Sequence, residues 1–162
     1  MAWLPEPIER LLEVALVGEL TVIGREGRPV THPLIPLYDG EHIYLHSSTL
    51  FSKKLQHIKR DPHVSLALTD PVALGGDTGR ATIQGRARII DDDPHHGWEE
   101  LILGLWRRKE PVIDAFLKAR VALPLFFERA VIEIAPERCL YWADGDTARA
   151  PEIASAPAEE VA

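Results

Sequence analysis

Apolar residues recur along this chain with two spacings, and the switch points between them divide it into elements. Ile8, Leu11, Leu12, Ala15 and Leu16 repeat at helical spacing behind Pro5 and Pro7, which predicts a helix over 5–17 that Gly18 ends. Glu19 to Arg25 is β-rich, Glu26-Gly27-Arg28 supplies a turn, and a second strand runs from Pro29 to Leu37. Asp39-Gly40 is a two-residue hairpin signal before a third strand from His42 to His46, so these three strands are expected to form a meander. A helix follows from about Ser52 to Arg60, with Phe51, Leu55 and Ile58 as its apolar stripe and Asp61-Pro62 as its stop.

Val64, Leu66 and Leu68 then alternate through a strand over 63–69, and Leu74 to Gly79 is a glycine-rich connection. The clearest strand is Arg80 to Ile90. Ala81, Ile83, Gly85, Ala87 and Ile89 share one face; Arg80, Thr82, Gln84, Arg86 and Arg88 share the other. Asp91-Asp92-Asp93-Pro94 caps a helix carrying Trp98, Leu101, Ile102 and Leu105, and Glu110-Pro111 opens another to about Val121. Between these helices Trp106-Arg107-Arg108-Lys109 reads as a surface turn. A last strand, Ala130 to Trp142, is interrupted at Ala135-Pro136. From Ala143 the composition turns to Ala, Pro and Glu, so residues 1–142 are expected to form one domain and 143–162 a mobile tail. Six strands with hairpins and short helices point to a closed antiparallel barrel with helices packed outside.

Composition narrows the function classes. At 162 residues the chain supports one core. A net charge of -7 disfavours polyanionic partners, so neither nucleic acid nor a membrane surface is expected. The single cysteine, Cys139, makes no intramolecular disulfide, and no basic-then-apolar leader opens the chain; a cytoplasmic location is the expectation.

Against that acidity, the stretch from His42 to Arg60 contains no Asp or Glu. Within it, His46, Ser47, Ser48 and Ser52 gather donors at a strand end and a helix start, and Lys53 and Lys54 occupy the first helical turn. Lysines there oppose the helix dipole, and a bound phosphate would compensate for them. The competing reading is an ordinary capped helix with solvated lysines.

The same residues carry a resemblance. Gly27-Arg28-Pro29 with Pro33-Leu34-Ile35, then Ile43-Tyr44-Leu45-His46-Ser47, Ser52-Lys53-Lys54-Leu55 and Asp61-Pro62-His63-Val64-Ser65-Leu66 are similar in order and spacing to the flavin-binding split barrels related to pyridoxamine-phosphate oxidase. Gly85-Arg86-Ala87 and Tyr141-Trp142 continue it, over roughly 8–142. The resemblance implies a six-stranded split β-barrel of Greek-key type and a homodimer with FMN at the subunit interface. It also implies that Pro33, Leu34 and Ile35 lay main chain beside the flavin ring. His46, Ser47, Ser48, Ser52, Lys53 and Lys54 would hold the ribityl-phosphate, and Arg80 would approach the polar edge of the ring. Trp142 is read either as barrel packing or as a ring contact. The chain departs from the oxidases in two places. His32 stands where they carry a phosphate-binding arginine, and their Arg-Leu-Pro substrate motif has no counterpart in Pro151 to Ala162.

The resemblance implies an FMN-dependent oxidoreductase acting on a small molecule, with no side chain marked as its acid or base. The alternatives are a reductase using the deazaflavin F420 on the same lysines, and a non-catalytic flavin or haem carrier with His63 or His57 as axial ligand. No metal site is expected: His42 and His46 are too far apart along a strand, and Asp91, Asp92, Asp93, His95 and His96 read as a helix cap. Gly75-Gly76-Asp77-Thr78-Gly79 is a loop without phosphate-loop context, and Cys139 is structural.

Overall fold

A computed structural model describes residues 3–49, 52–118 and 128–157. Phe51, the end of the fourth helix toward Val121 and the last five residues of the expected tail lie outside them. The order is α1 (Glu6–Val14), β1 (Gly18–Ile23), β2 (Pro29–Leu34), β3 (Leu37–Tyr38), β4 (Ile43–Ser48), α2 (Lys53–Arg60) and β5 (His63–Leu68). It continues with β6 (Arg80–Ile90), α3 (Gly97–Lys109), α4 (Ile113–Lys118), β7 (Arg129–Trp142) and β8 (Glu152–Ser155).

All the described strands belong to one antiparallel sheet ordered β2-β1-β5-β6-β7-β4-β3, with β8 added along β7. The described residues form eight strands, not six. The expected meander also breaks, because Pro29 to Leu37 is two strands. β2 pairs only with β1, whereas β3 pairs with β4 on the far edge. Pro33 and Pro36 explain the break, since neither has an N–H to continue a ladder. Only Ile35 and Pro36 separate the two edge strands, so the sheet must curl until its edges lie within roughly 11 Å of each other. That covalent link closes the split barrel. The turn after β3 is also longer than expected: Asp39 to His42 span it, with Gly40 at φ 105° and the Asp39 carboxylate accepting the N–H groups of Glu41 and His42.

Two cores follow from strand alternation. Ile43, Leu45, Ile83, Ala130, Ile132 and Ile134 face the interior, where α1 contributes Ile8, Leu11 and Leu12 and α2 contributes Leu55 and Ile58. Tyr44 and Val131 face outward and pack under Trp98, Ile102, Leu103 and Trp106 of α3 and Ile113 of α4. The interruption at Ala135-Pro136 is a bulge. Gln84 pairs with Arg138 and Gly85 with Pro136, so Glu137 is the extra residue and the inward phase shifts from Ile134 to Cys139. Gly85 is required there, because a Cβ would stand 2.2 Å from the Ala135 carbonyl oxygen.

Two expectations fail here. Trp106-Arg107-Arg108-Lys109 is the last turn of α3 rather than a surface turn. Lys109 Nζ donates to the carbonyls of Leu12, Ala15 and Pro36, tying the end of α1 to the link between the sheet edges. The tail is not loose over its described part, since β8 pairs with Arg138 to Tyr141 and Trp142 Nε1 donates to the Arg149 carbonyl. Among the described residues no helix is long and apolar enough to cross a membrane.

Candidate functional site

The end of β4, the start of β7 and the start of α2 converge. Along β4, Ile43, Leu45 and Ser47 point inward while Tyr44, His46 and Ser48 point outward. Ser47 is buried, donates to the Ser48 carbonyl at 3.1 Å and shares a 3.0 Å hydrogen bond with the Ser52 hydroxyl. Ser52 is the N-cap residue of α2, yet its side chain caps no backbone N–H, and the first turn holds no acidic residue. The positive end of α2 therefore carries Lys53 and Lys54 with no side-chain anion from its own turn.

Lys54 is half-buried, and burial pushes its pKa down. It acts on two histidines from different strands. Burial, then Lys54 and His57, hold the His32 pKa below its ordinary value. Burial, then Arg129 and Lys54, bring His46 to about 3. His32 Nε2 and His57 Nδ1 are buried atoms without a hydrogen-bond partner. Beside them Arg25, Lys53, Gln56, His57 and Arg60 line a groove of about 560 Å³. Ammonium groups, hydroxyls and helix N–H groups form a donor set that fits a phosphate monoester.

The pattern of the sequence does not reveal Arg129. Apart from Ser47 it is the other buried polar residue among those described, and burial lowers its pKa to about 10. Its Nη1 lies 2.5 Å from His46 Nδ1, and its guanidinium stands 5.7 Å from the Trp106 ring centroid. A guanidinium only donates, so His46 Nδ1 accepts and Nε2 carries the hydrogen. Trp106 packs on the His46 ring at 4.2 Å between centroids. An arginine heading the apolar run Ala130 to Ile132 was the available signal, but its partner lies 83 residues away in sequence.

The other expected residues lie elsewhere. Pro33 is exposed on edge strand β2, Leu34 packs on the interior core and Ile35 on the outer one. The Gly24 N–H to Arg28 carbonyl bond sets the ladder phase, so Pro29, Thr31 and Pro33 turn their backbone groups to the free edge. Arg80 and Trp142 are ladder partners at the opposite end of β7 from Arg129. Arg80 donates to the carbonyls of Thr78 and Gly79, at 2.7 and 3.0 Å. Within one chain they do not join the lysines. His63 contacts Asp61 through Nδ1 at 2.8 Å and Arg86 through Nε2 at 3.3 Å, so both ring nitrogens are engaged. Asp93 accepts the N–H groups of His95 and His96 as a cap, and among the described residues no cluster of His, Cys, Asp or Glu could hold a metal.

A second cavity, of about 390 Å³, lies between α1, β3 and α3. Two of its acids serve the fold: the Tyr38 hydroxyl donates to Glu9 and the Tyr44 hydroxyl to Asp39.

Comparisons with known proteins agree with this architecture. No curated protein matches the chain. Among solved structures, an F420 reductase is 23% identical with a TM-score of 0.60, covering 86% of this chain and 99% of the other. A Clostridium acetobutylicum protein related to general stress protein 26, of the pyridoxinephosphate oxidase family, is 15% identical with a TM-score of 0.63, covering 92% of both chains. A heme binding protein from Mycobacterium smegmatis is 18% identical with a TM-score of 0.59, covering 94% of this chain and 59% of the other. The family model for pyridoxamine 5'-phosphate oxidase matches residues 4–143, and the chain belongs to that family.

Proposed function

We propose that the protein is an FMN-dependent oxidoreductase that works as a homodimer on a small molecule in a reducing, cytoplasmic setting. The observation that carries this reading is the uncapped start of α2, with Lys53, Lys54 and the Ser47–Ser52 hydroxyl pair grouped around it. In this reading the ribityl-phosphate takes its donors there. Lys53 and Lys54 supply positive charge, the first-turn N–H groups and Ser48 supply hydrogen bonds, and His46 stays neutral with a fixed Nε2–H. The free edge of β2, from Thr31 through Pro33 to Ile35, offers main-chain groups to the ring. When bound, the flavin supplies two-electron chemistry; the chain binds, orients and shields it.

The test is Lys53→Ala/Lys54→Ala. Each charge-assisted contact contributes on the order of 1.5–3 kcal/mol, roughly 10- to 100-fold in affinity. FMN affinity should fall by about two to four powers of ten, while riboflavin, which lacks the phosphate, binds wild type and variant alike. Wild-type FMN affinity in the variant would sink the reading, as would an equal loss of riboflavin.

A second reading substitutes F420, supported by the F420 reductase matched over nearly its whole length. The haem reading is weaker, because His63 is engaged at both nitrogens and leaves His57 as the candidate ligand. The visible spectrum of protein incubated with each cofactor separates the three.

A further inference from the structure

The cavity of about 390 Å³ between α1, β3 and α3 has no part in the proposed function. Two helix faces make its walls. Glu9, Leu12 and Glu13 share one face of α1 at a spacing of three and four residues, and Leu105, Arg108 and Lys109 repeat that spacing on α3. One wall is therefore acidic and the other basic, with Leu12, Leu105 and Leu37 of β3 supplying apolar surface between them. Most of the charged groups are already committed. Asp39 accepts the N–H groups of Glu41 and His42 and the Tyr44 hydroxyl, and one oxygen of Glu9 accepts the Tyr38 hydroxyl. Lys109 gives its three hydrogens to the carbonyls of Leu12, Ala15 and Pro36. Glu13 and Arg108 remain: among the described residues neither side chain has a hydrogen-bond or ion-pair partner, and they do not pair with each other.

We infer that this cavity is a second ligand site, separate from the phosphate group, and that it takes a small zwitterion with an apolar body, the class of an aliphatic amino acid. Its volume falls at the small end of the range for small-molecule sites, roughly 300–1,000 Å³. The ammonium goes to the α1 wall, where Glu13 and the second oxygen of Glu9 accept from it. The carboxylate goes to Arg108, whose planar fork suits a bidentate pair. The aliphatic body lies on the three leucines. Both charges are needed on one ligand. An anion alone would bring its charge against the α1 carboxylates, and a cation alone would leave Arg108 partly desolvated without a partner. None of the lining residues belongs to the phosphate group, so the inference does not depend on the FMN reading.

The probes are leucine, isoamylamine, which is leucine without its carboxylate, and isocaproate, which is leucine without its amine. Their binding to the full chain is measured calorimetrically for wild type, Glu13→Gln and Arg108→Gln. Leucine should bind wild type with a Kd of about 0.01–1 mM, and roughly tenfold or more tighter than either analogue. Arg108→Gln should weaken leucine by about tenfold or more and leave isoamylamine unchanged. Glu13→Gln should weaken leucine and isoamylamine but not isocaproate. NMR of wild type guards against a variant that misfolds: leucine should shift the methyl signals of Leu12, Leu37 and Leu105 and leave those of Ile83, in the interior core, in place. Leucine that binds wild type no better than its analogues, that binds both variants as it binds wild type, or that leaves those three leucines unmoved overturns the inference. Failure of wild type to bind FMN bears on the FMN reading alone.

Discussion

His46 shows how a single residue links the site to the stability of the fold. It is wedged between Trp106 and Arg129, and its pKa is held at about 3. In the unfolded chain it returns to about 6.5, so between those values the unfolded state binds more protons and folding loses free energy as pH falls. Above pH 6.5 the contribution is complete. From pH 6.5 to 4 the loss should be on the order of 3 kcal/mol. Denaturant unfolding across that range checks this, with His46→Gln as control: the variant starts less stable but should lack this part of the acid slope. Parallel slopes would rule it out. How legible each residue was depended on how far away its partners lie. Lys53 and Lys54 stood out because the charges that matter, and the missing acids, are local. Arg129 and Lys109 did not, because Arg129 meets His46 across 83 residues and Lys109 meets Leu12 across 97. Arg80 and Trp142 were assigned to the flavin by family likeness, and no pattern along the chain could show that they lie at the far end of the sheet from the lysines.

At the scale of elements, the helices and most strands follow from periodicity, because a stripe or an alternating face is a local property. Pairing is not local. Pro29 to Leu37 reads as one apolar-rich strand, and only the competition between β1 and β4 for partners reveals that Pro33 and Pro36 divide it. β8 was missed for the opposite reason: its four residues offer little hydrophobic signal, and the ladder with β7 supplies the stability. Leu140 pairs with Ile153, and the Ala154 N–H reaches the Cys139 thiol, whose pKa burial raises. Deleting residues 151–162 should therefore cost about 1–3 kcal/mol and lower Tm by roughly 2–10 °C. Cys139, now 1% exposed, should also begin to react with a thiol reagent in the native state. A truncated protein with unchanged Tm and an unreactive Cys139 would show that β8 adds nothing to the fold.

At the scale of the whole molecule, the decisive fact is the separation of the two groups of residues attributed to the flavin. Arg129 begins β7 beside His46, while Trp142 ends it beside Arg80. Fourteen residues of strand, even bent at the Glu137 bulge, put roughly 40 Å of chain between the two ends, longer than one FMN. If both groups contact the cofactor, they come from different protomers. A two-fold dimer then builds each site from the lysine end of one chain and the Arg80–Trp142 end of the other. Mixing tests this without a structure of the complex. Lys53→Ala/Lys54→Ala removes the phosphate side and Arg80→Ala/Trp142→Leu the ring side, so each homodimer should hold little FMN. After joint unfolding and refolding of equal amounts, half the dimers are mixed and each has one site with both wild-type halves, so FMN content should recover to about a quarter of wild type. If the mixture binds no more FMN than the separate variants, each site is built within one chain. If Arg80→Ala/Trp142→Leu alone binds FMN like wild type, that end of the barrel does not touch the cofactor, and the dimer must be argued from other contacts.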